Sequence, residues 1–323
     1  MKQIIYITLV NLLLFSCDME TVIDLEIPEQ DPVLVLNGIL ETDKNVKVLV
    51  SHSVGAFSNN SLPSFISDAE VLLYKDNQLI GSLEPDLSEE IYVYYENQSD
   101  DYYVGLDSLP MYYYKREYMP EKQANYKLEV NHPAYENIEA ETYLPKDVEL
   151  YDIDIDTISN DENIGLTFSF DDLVNQQNYY RLKLFTSCTK DLEKSYDEED
   201  RFRGYAEMMS NDPSFPGNIF DVFSGYSFIG QEVVFTDALF NGQQKTINID
   251  VESEFKFGQC DTVIIEFSTF SDDTYRYYNS LGDHREKGEL GIFGGEVIPV
   301  YTNVKNGLGV LVSTNAQKII LKP

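Results

Sequence analysis

Side chains able to do chemistry are abundant in this chain, but none are arranged in a known reactive pattern. There are 56 acidic residues, 23 basic residues and three histidines, His52, His132 and His284. The histidines are scattered, and none stands in a His-Glu-x-x-His spacing that would put two zinc ligands on one helix face. No Gly-x-Ser-x-Gly stretch offers a nucleophile turn. Gly288-Glu289-Leu290-Gly291-Ile292-Phe293-Gly294-Gly295 is glycine-rich, yet no Lys-Ser or Lys-Thr follows it to hold a phosphate. Asp152, Asp154 and Asp156 put three carboxylates on one side of an extended segment. A calcium loop starting at Asp152 needs Gly at its sixth position and Glu at its twelfth, where this chain has Thr157 and Asn163. The better reading is a strand that turns its polar face outward. The run Asp197-Glu198-Glu199-Asp200 reads as a solvated loop. The expectation is a non-enzyme with no catalytic residues, no metal and no cofactor.

Two kinds of residue remain of interest. Cys188 and Cys260 can pair in an oxidising compartment, and two separate buried thiols fit the sequence equally well. Residues 91–118 hold nine tyrosines: Tyr92, Tyr94, Tyr95, Tyr102, Tyr103, Tyr112, Tyr113, Tyr114 and Tyr118. Tyrosine brings a large rigid area with a polar tip and suits a contact surface. Adjacent tyrosines on a strand point to opposite faces, so pairs such as Tyr102-Tyr103 cannot both enter one core. These nine are the candidate partner or ligand contacts. The plainer alternative is that tyrosine is simply a good strand former.

The first seventeen residues set the location. Met1-Lys2 is a short positive start, and Ile4 to Phe15 is apolar apart from Thr8 and Asn11. This run is too short to cross a bilayer, which takes about 20 residues, but it fits the apolar part of a secretory signal. Leu14-Phe15-Ser16-Cys17 resembles the bacterial lipoprotein box, with cleavage before Cys17 and lipid on that cysteine. An ordinary signal peptide with an incidental cysteine is the alternative. Each buried lipid methylene contributes roughly 0.8 kcal/mol, so several chains would make attachment effectively permanent. Asp18-Met19-Glu20, just after the cysteine, resembles the acidic signal that sends Bacteroidota lipoproteins to the outer face of the outer membrane.

Length and patterning bound the fold. At 323 residues two domains are expected. The formal charge of −33 would repel nucleic acid and anionic lipid, while 43% hydrophobic and 13% aromatic residues argue for a folded chain. Residues 1–17 are the signal, 18–32 an acidic tether, 33–145 a β-sandwich domain and 146–323 a second β-rich domain. Period-two runs at Val46-Val48-Val50 and Tyr126-Lys127-Leu128-Glu129-Val130 read as strands. Lys75-Asp76-Asn77-Gln78 reads as a hairpin turn. The fold expected is mostly β: an immunoglobulin-like or carboxypeptidase-regulatory-like sandwich, then a second antiparallel β domain with at most one or two short helices. Asp272 to Leu281 is the best helix, capped by Asp272 or Asp273, with Tyr275 and Tyr278 on one face. Gly309 to Ser313 is expected to pair with Lys318 to Leu321 as a final hairpin.

Several short motifs then carry a resemblance. They are Pro32-Val33-Leu34-Val35-Leu36-Asn37-Gly38, Ile66-Ser67-Asp68-Ala69-Glu70-Val71, Asn178-Tyr179-Tyr180-Arg181-Leu182, Asp237-Ala238-Leu239-Phe240-Asn241-Gly242, and Tyr301 to Gly309. In this order, behind the lipoprotein box, they resemble a Bacteroidota outer-membrane lipoprotein family classed as a domain of unknown function and encoded beside TonB-dependent receptors. The resemblance implies a surface accessory of a TonB-dependent outer-membrane β-barrel receptor, helping it capture or import a nutrient. It brings no catalytic residues. The motifs also have a structural reading, since Asn-Gly pairs are turn formers. A free-standing surface adhesin or ligand-binding lipoprotein is the alternative function. A surface hydrolase is the third, because any two carboxylates at a suitable separation can cleave a glycosidic bond.

Overall fold

The computed structural model describes residues 31–55, 64–98, 104–157, 163–174, 176–189, 201–217, 225–252, 260–288 and 298–322. The expected signal, Cys17 and the expected tether up to residue 30 lie outside them. Pro32–Pro323 forms one compact unit. The fold is mostly β, as expected, with a single α-helix among the described residues. In chain order come β1 (Leu34–Glu41), β2 (Val46–His52), β3 (Glu70–Lys75), β4 (Gln78–Gln98), β5 (Val104–Arg116), β6 (Ala124–Asn131) and β7 (Ile138–Leu144). Then follow β8 (Leu150–Thr157), β9 (Asn163–Asp171), β10 (Tyr179–Thr189), β11 (Arg201–Tyr205), β12 (Glu207–Ser210), β13 (Phe228–Gly230), β14 (Glu232–Thr236), β15 (Gln244–Glu252) and β16 (Cys260–Phe270). The chain closes with α1 (Asp272–Gly288), β17 (Val304–Lys305) and β18 (Leu308–Leu321).

Alternation decides the strands. In β6, Ala124, Tyr126, Leu128 and Val130 are buried while the residues between them face outward, so one apolar face docks on the core. The turn between β3 and β4 is the expected one: Asp76 and Asn77 take positive φ of 47° and 64°, as a tight two-residue hairpin loop requires. A 13-stranded sheet runs in the order β11-β10-β16-β18-β1-β2-β5-β4-β3-β6-β7-β17, with β14 added against β10. A second sheet has five strands in the order β13-β12-β15-β9-β8.

Two hydrophobic cores result. The first is enclosed by β1 to β7 and includes Leu36, Val48, Leu73, Tyr114, Tyr126 and Leu128, completed by Val304 and Leu311 from the far end of the chain. The second lies between the five-stranded sheet and β10, β14 and β16, where Phe168, Phe170, Tyr180, Phe235, Phe240 and Phe267 pack together. The chain passes from one core to the other at Pro145, where a domain boundary was expected. A linear division does not describe the C-terminal strand. β18 pairs in parallel with β1, from Val35↔Leu308 to Glu41↔Thr314. It then pairs antiparallel with β16, from Phe270↔Thr314 to Val263↔Leu321. One strand therefore serves both cores.

The final hairpin expected within 309–321 is thus corrected to one continuous strand. Thr314-Asn315 looks like a turn in sequence, but both residues are buried where β18 crosses between the cores. Asn315 donates from Nδ2 to the Pro145 carbonyl at 3.1 Å, which satisfies a polar side chain without a bend. The helix is also longer than expected, and its cap is Ser271. Its Oγ accepts from the Thr274 amide at 3.1 Å, as an N-cap side chain does. Tyr275 and Tyr278 do share a face: Tyr275 stacks on Tyr179 at 4.4 Å and Tyr278 on Phe270 at 5.8 Å.

The β1–β18 contact needs glycine. Gly309 has φ +100°, and a Cβ there would drive into the Leu36 backbone carbonyl. Gly309→Ala is therefore expected to destabilise the protein by about 3 kcal/mol. Gly282, in α1, has nothing within 4 Å of its Cβ position, so Gly282→Ala should stabilise by roughly 0.5–1 kcal/mol. Urea unfolding of both variants checks this pair; equal and small effects would contradict the clasp.

Candidate functional site

The tyrosine-rich segment becomes a two-stranded ribbon. β2 pairs with β5 only from Tyr114 to Arg116, and β3 pairs with β4 only as far as Leu83. Beyond that, β4 and β5 pair with each other from Glu84↔Lys115 out to Gln98↔Val104, with a register shift between Asp86 and Ile91. At about 3.3 Å per residue, Ile91 to Gln98 alone reaches roughly 25 Å. Lys115 braces the base, with Nζ 2.9 Å from Asp86 Oδ2 and also paired with Glu89.

The nine tyrosines do not act together. Tyr114 is fully buried and its hydroxyl accepts from the Ala69 amide at 3.0 Å, so it is a core residue and not a contact. The reason is register: it lies opposite Val48, whose side chain also points inward. Tyr118 packs against the same core, with its hydroxyl 3.3 Å from that of Tyr126. Tyr112 sits edge-on to Phe65 at 5.5 Å, and the Lys47 ammonium lies 4.7 Å over the Tyr113 ring. Tyr92 is exposed, and its hydroxyl donates to Glu90 at 2.8 Å. Tyr94 and Tyr95 lie on the ribbon's backbone ladder; their side chains, and Tyr102 and Tyr103 entirely, are outside the described residues.

A second cluster unites two of the sequence motifs around buried carboxylates. Asp172, Asn178 and Asp237 are each at most 7% exposed. The Asn178 amide N–H donates to Asp237 Oδ2 at 2.9 Å, and its Nδ2 donates to the same oxygen at 3.1 Å and to Asp172 Oδ1 at 3.2 Å. Asp172 also accepts from the Tyr180 hydroxyl and, through Oδ2, from the Gly242 amide at 2.6 Å. Burial holds the Asp237 carboxyl above its usual range, and the Asp172 charge adds to this while the Asn178 donors oppose it. Burial and the bond to Asp172 push the Tyr180 phenol up as well. This cluster ties the start of β10 to the 3-10 turn Asp237–Leu239 after β14. It is a brace: both Asp172 oxygens and Asp237 Oδ2 accept from donors of its own chain. Asp172 was not singled out in sequence. Its only signal there was its place six residues before Asn178.

The other sequence candidates separate. Cys188 and Cys260 are direct partners in the β10–β16 ladder, where the register shifts after Ser187. Opposite antiparallel residues lie about 4.5–5.5 Å apart at Cα, inside the range a disulfide needs. Asp152, Asp154 and Asp156 are exposed while Ile153 and Ile155 pack on the second core, the outward polar face expected. His52 and His132 bond to Ser64 Oγ at 2.9 Å and Asp68 Oδ1 at 3.1 Å, and His284 lies on α1, bonded to the Ile298 carbonyl at 2.8 Å. The Asp197–Asp200 run is outside the described residues.

Comparison with known proteins places the chain in a family. Residues 20–320 match the model of the domain of unknown function DUF4249, and the chain belongs to that family. No protein of curated function matches it. Among solved structures it is similar to a DUF3823 family protein from Parabacteroides merdae, at 7% identity and a TM-score of 0.19, over 76% of this chain and 93% of that one. No helix among the described residues is long and apolar enough to cross a membrane.

The brace makes a pH-dependent prediction. Because the native state holds the Asp237 proton more tightly than the unfolded chain, wild-type stability rises as pH falls through the raised native pKa, and the gain is lost above it. Asp237→Asn removes that titration. Urea unfolding should therefore show wild type gaining on the variant as the pH is lowered from neutrality toward the ordinary carboxylate range; a constant difference would count against a raised carboxyl. Asp237→Ala, which strands the Asn178 amide, should cost about 1–3 kcal/mol.

Proposed function

We propose that this DUF4249 protein is an outer-membrane lipoprotein, anchored through Cys17, that faces the cell exterior and serves as a non-enzymatic accessory of a TonB-dependent transporter in nutrient capture or uptake. The observation that carries this reading is the apolar run Ile4 to Phe15 ending in Leu14-Phe15-Ser16-Cys17. The acidic residues behind the cysteine and the formal charge of −33 suit a body held away from an anionic membrane surface.

The β4–β5 ribbon is the part of the molecule best suited to meet the barrel. A two-stranded hairpin is marginal alone in water, and this one extends beyond its third strand carrying Leu87 at 59% and Tyr92 at 54% exposure. Leu87 and Tyr92 supply apolar and amphipathic surface toward the roughly 1,000 Å² a stable contact needs.

Three measurements test the reading. Cys17→Ala should move the protein from the membrane fraction to the soluble fraction, and retention in the membrane would contradict the anchor. Protease added to intact cells should degrade the wild type, whereas full protection would place it on the periplasmic side. A mild-detergent pull-down through a C-terminal tag should bring a TonB-dependent barrel in near-stoichiometric amount, reduced severalfold by Leu87→Ser with Tyr92→Ser. If no barrel co-purifies after crosslinking, the transporter reading fails and a free-standing adhesin takes its place.

A further inference from the structure

We propose that a cavity where β18 crosses between the cores binds a small organic monocarboxylate with an apolar body. The cavity, about 240 Å³, is lined by Arg181, Phe270, Tyr278 and Thr314, with Ile39 and Val312 as apolar wall and Glu41 and Lys44 at its side. Its volume falls below the roughly 300–1,000 Å³ of pockets for drug-sized ligands, so the occupant is small. Arg181 belongs to the Asn178-Tyr179-Tyr180-Arg181-Leu182 motif. The buried brace accounts for Asn178 and Tyr180 but leaves Arg181 unexplained.

Two side chains of the lining, Arg181 and Thr314, each carry a buried polar atom without a partner, and Ser268 carries a third beside them on the same sheet face. Arg181 lies directly across the β10–β16 ladder from Ser268, and Phe270 directly across the β16–β18 ladder from Thr314, so all four share one sheet face. The Arg181 side chain is 11% exposed, Ser268 is 0% and Thr314 5%. Arg181 Nε, Ser268 Oγ and Thr314 Oγ1 are buried with no hydrogen-bond partner, a costly condition unless a ligand supplies the missing atoms. Thr274, on the cavity's helix side, is satisfied: its Oγ1 donates to the Ser313 carbonyl at 2.7 Å.

Among the described residues, the charges on this face leave one cation in surplus. Lys183 Nζ is 3.0 Å from Glu232, and Lys318 Nζ is 3.3 Å from Glu266. Arg181 reaches those same glutamates only at 3.7 and 3.8 Å, beyond the 2.7–2.9 Å of a charge-assisted hydrogen bond. Lys44 is paired with Glu41 at 2.8 Å. Arg181, Lys183 and Lys318 against Glu232 and Glu266 make three cations for two carboxylates, a net of +1. That balance fits a monoanion, and the planar guanidinium matches a carboxylate in shape. A phosphate dianion would overcharge the site. The Phe270 ring, 4.9 Å from the Arg181 guanidinium, and the stacked Tyr278 ring would cover the apolar body.

The test is titration calorimetry on the purified full-length protein with benzoate, phenylacetate and hexanoate, and with inorganic phosphate for comparison. At least one carboxylate should bind saturably, at least tenfold more weakly to Arg181→Gln and severalfold more weakly to Thr314→Val. Circular dichroism should show both variants folded. The proposal is overturned if none of the three carboxylates binds folded wild type, if phosphate binds as tightly as they do, or if a folded Arg181→Gln binds unchanged. Should Arg181→Gln fail to fold, unchanged affinity in Thr314→Val overturns it. Binding is read on isolated protein, so the result is independent of the anchor and of any barrel.

Discussion

Everything in this structure depends on β18 being shared. Its first half lies parallel to β1 and its second half antiparallel to β16, so a single strand closes the first core with Leu311 and borders the second with Ile319 and Leu321. The parallel pairing brings β18 against β1, a contact of very high sequence separation. Such contacts carry a large loop-closure cost during folding and are repaid only when both cores form. Gly309, packed against the Leu36 backbone, and Gly307, whose Cβ position lies 2.7 Å from the Leu34 carbonyl, let the strands approach.

The crossing point differs chemically from the cores it joins. Around it, Ser271 Oγ lies 2.7 Å from Thr274 Oγ1, Ser313 Oγ donates to the Tyr143 carbonyl at 2.6 Å, and Thr142 donates to Ser271 at 3.2 Å. Asn303 completes the arrangement by donating to the Glu141 and Leu311 carbonyls. A buried polar network of this kind fixes one register where apolar packing would tolerate slippage. The cavity with Arg181 lies beside it, so the polar crossing point also borders the buried, unpartnered atoms of Arg181 and Thr314. The ribbon is the opposite case: beyond Leu83 and Tyr114 its two strands pair with each other and with no third described strand.

What could be read in the sequence, and what could not, follows from the range of each interaction. The Asp76-Asn77 turn, the alternating β6 and the shared face of Tyr275 and Tyr278 are local features, and local spacing revealed them. The motif from Tyr301 to Gly309 read as turn chemistry, and its structural role is close to that: Thr302 and Asn303 bond back to Gly309 and Leu311. The sharing of β18 was hidden because Thr314-Asn315 looks like a break until both cores are present. Ser271 was missed as a cap because two aspartates follow it. The dense tyrosines of 91–118 gave no sign that Tyr114 points inward, since strand register depends on a partner far along the chain. Arg181 was visible only as part of a motif; that it approaches Glu232 and Glu266 at 3.7 and 3.8 Å, without hydrogen-bond contact, depends on strands far apart in the chain.

The central claim is that two cores fold as one body through β18, and native-state hydrogen exchange tests it most directly. Amides of β3 and β6 report on the first core, and those of β9 and β15 on the second. With increasing denaturant, both sets are expected to converge on a single global opening free energy. If one core's amides instead exchange through a separate opening several kcal/mol lower, the cores are independent domains and β18 is only a contact between them.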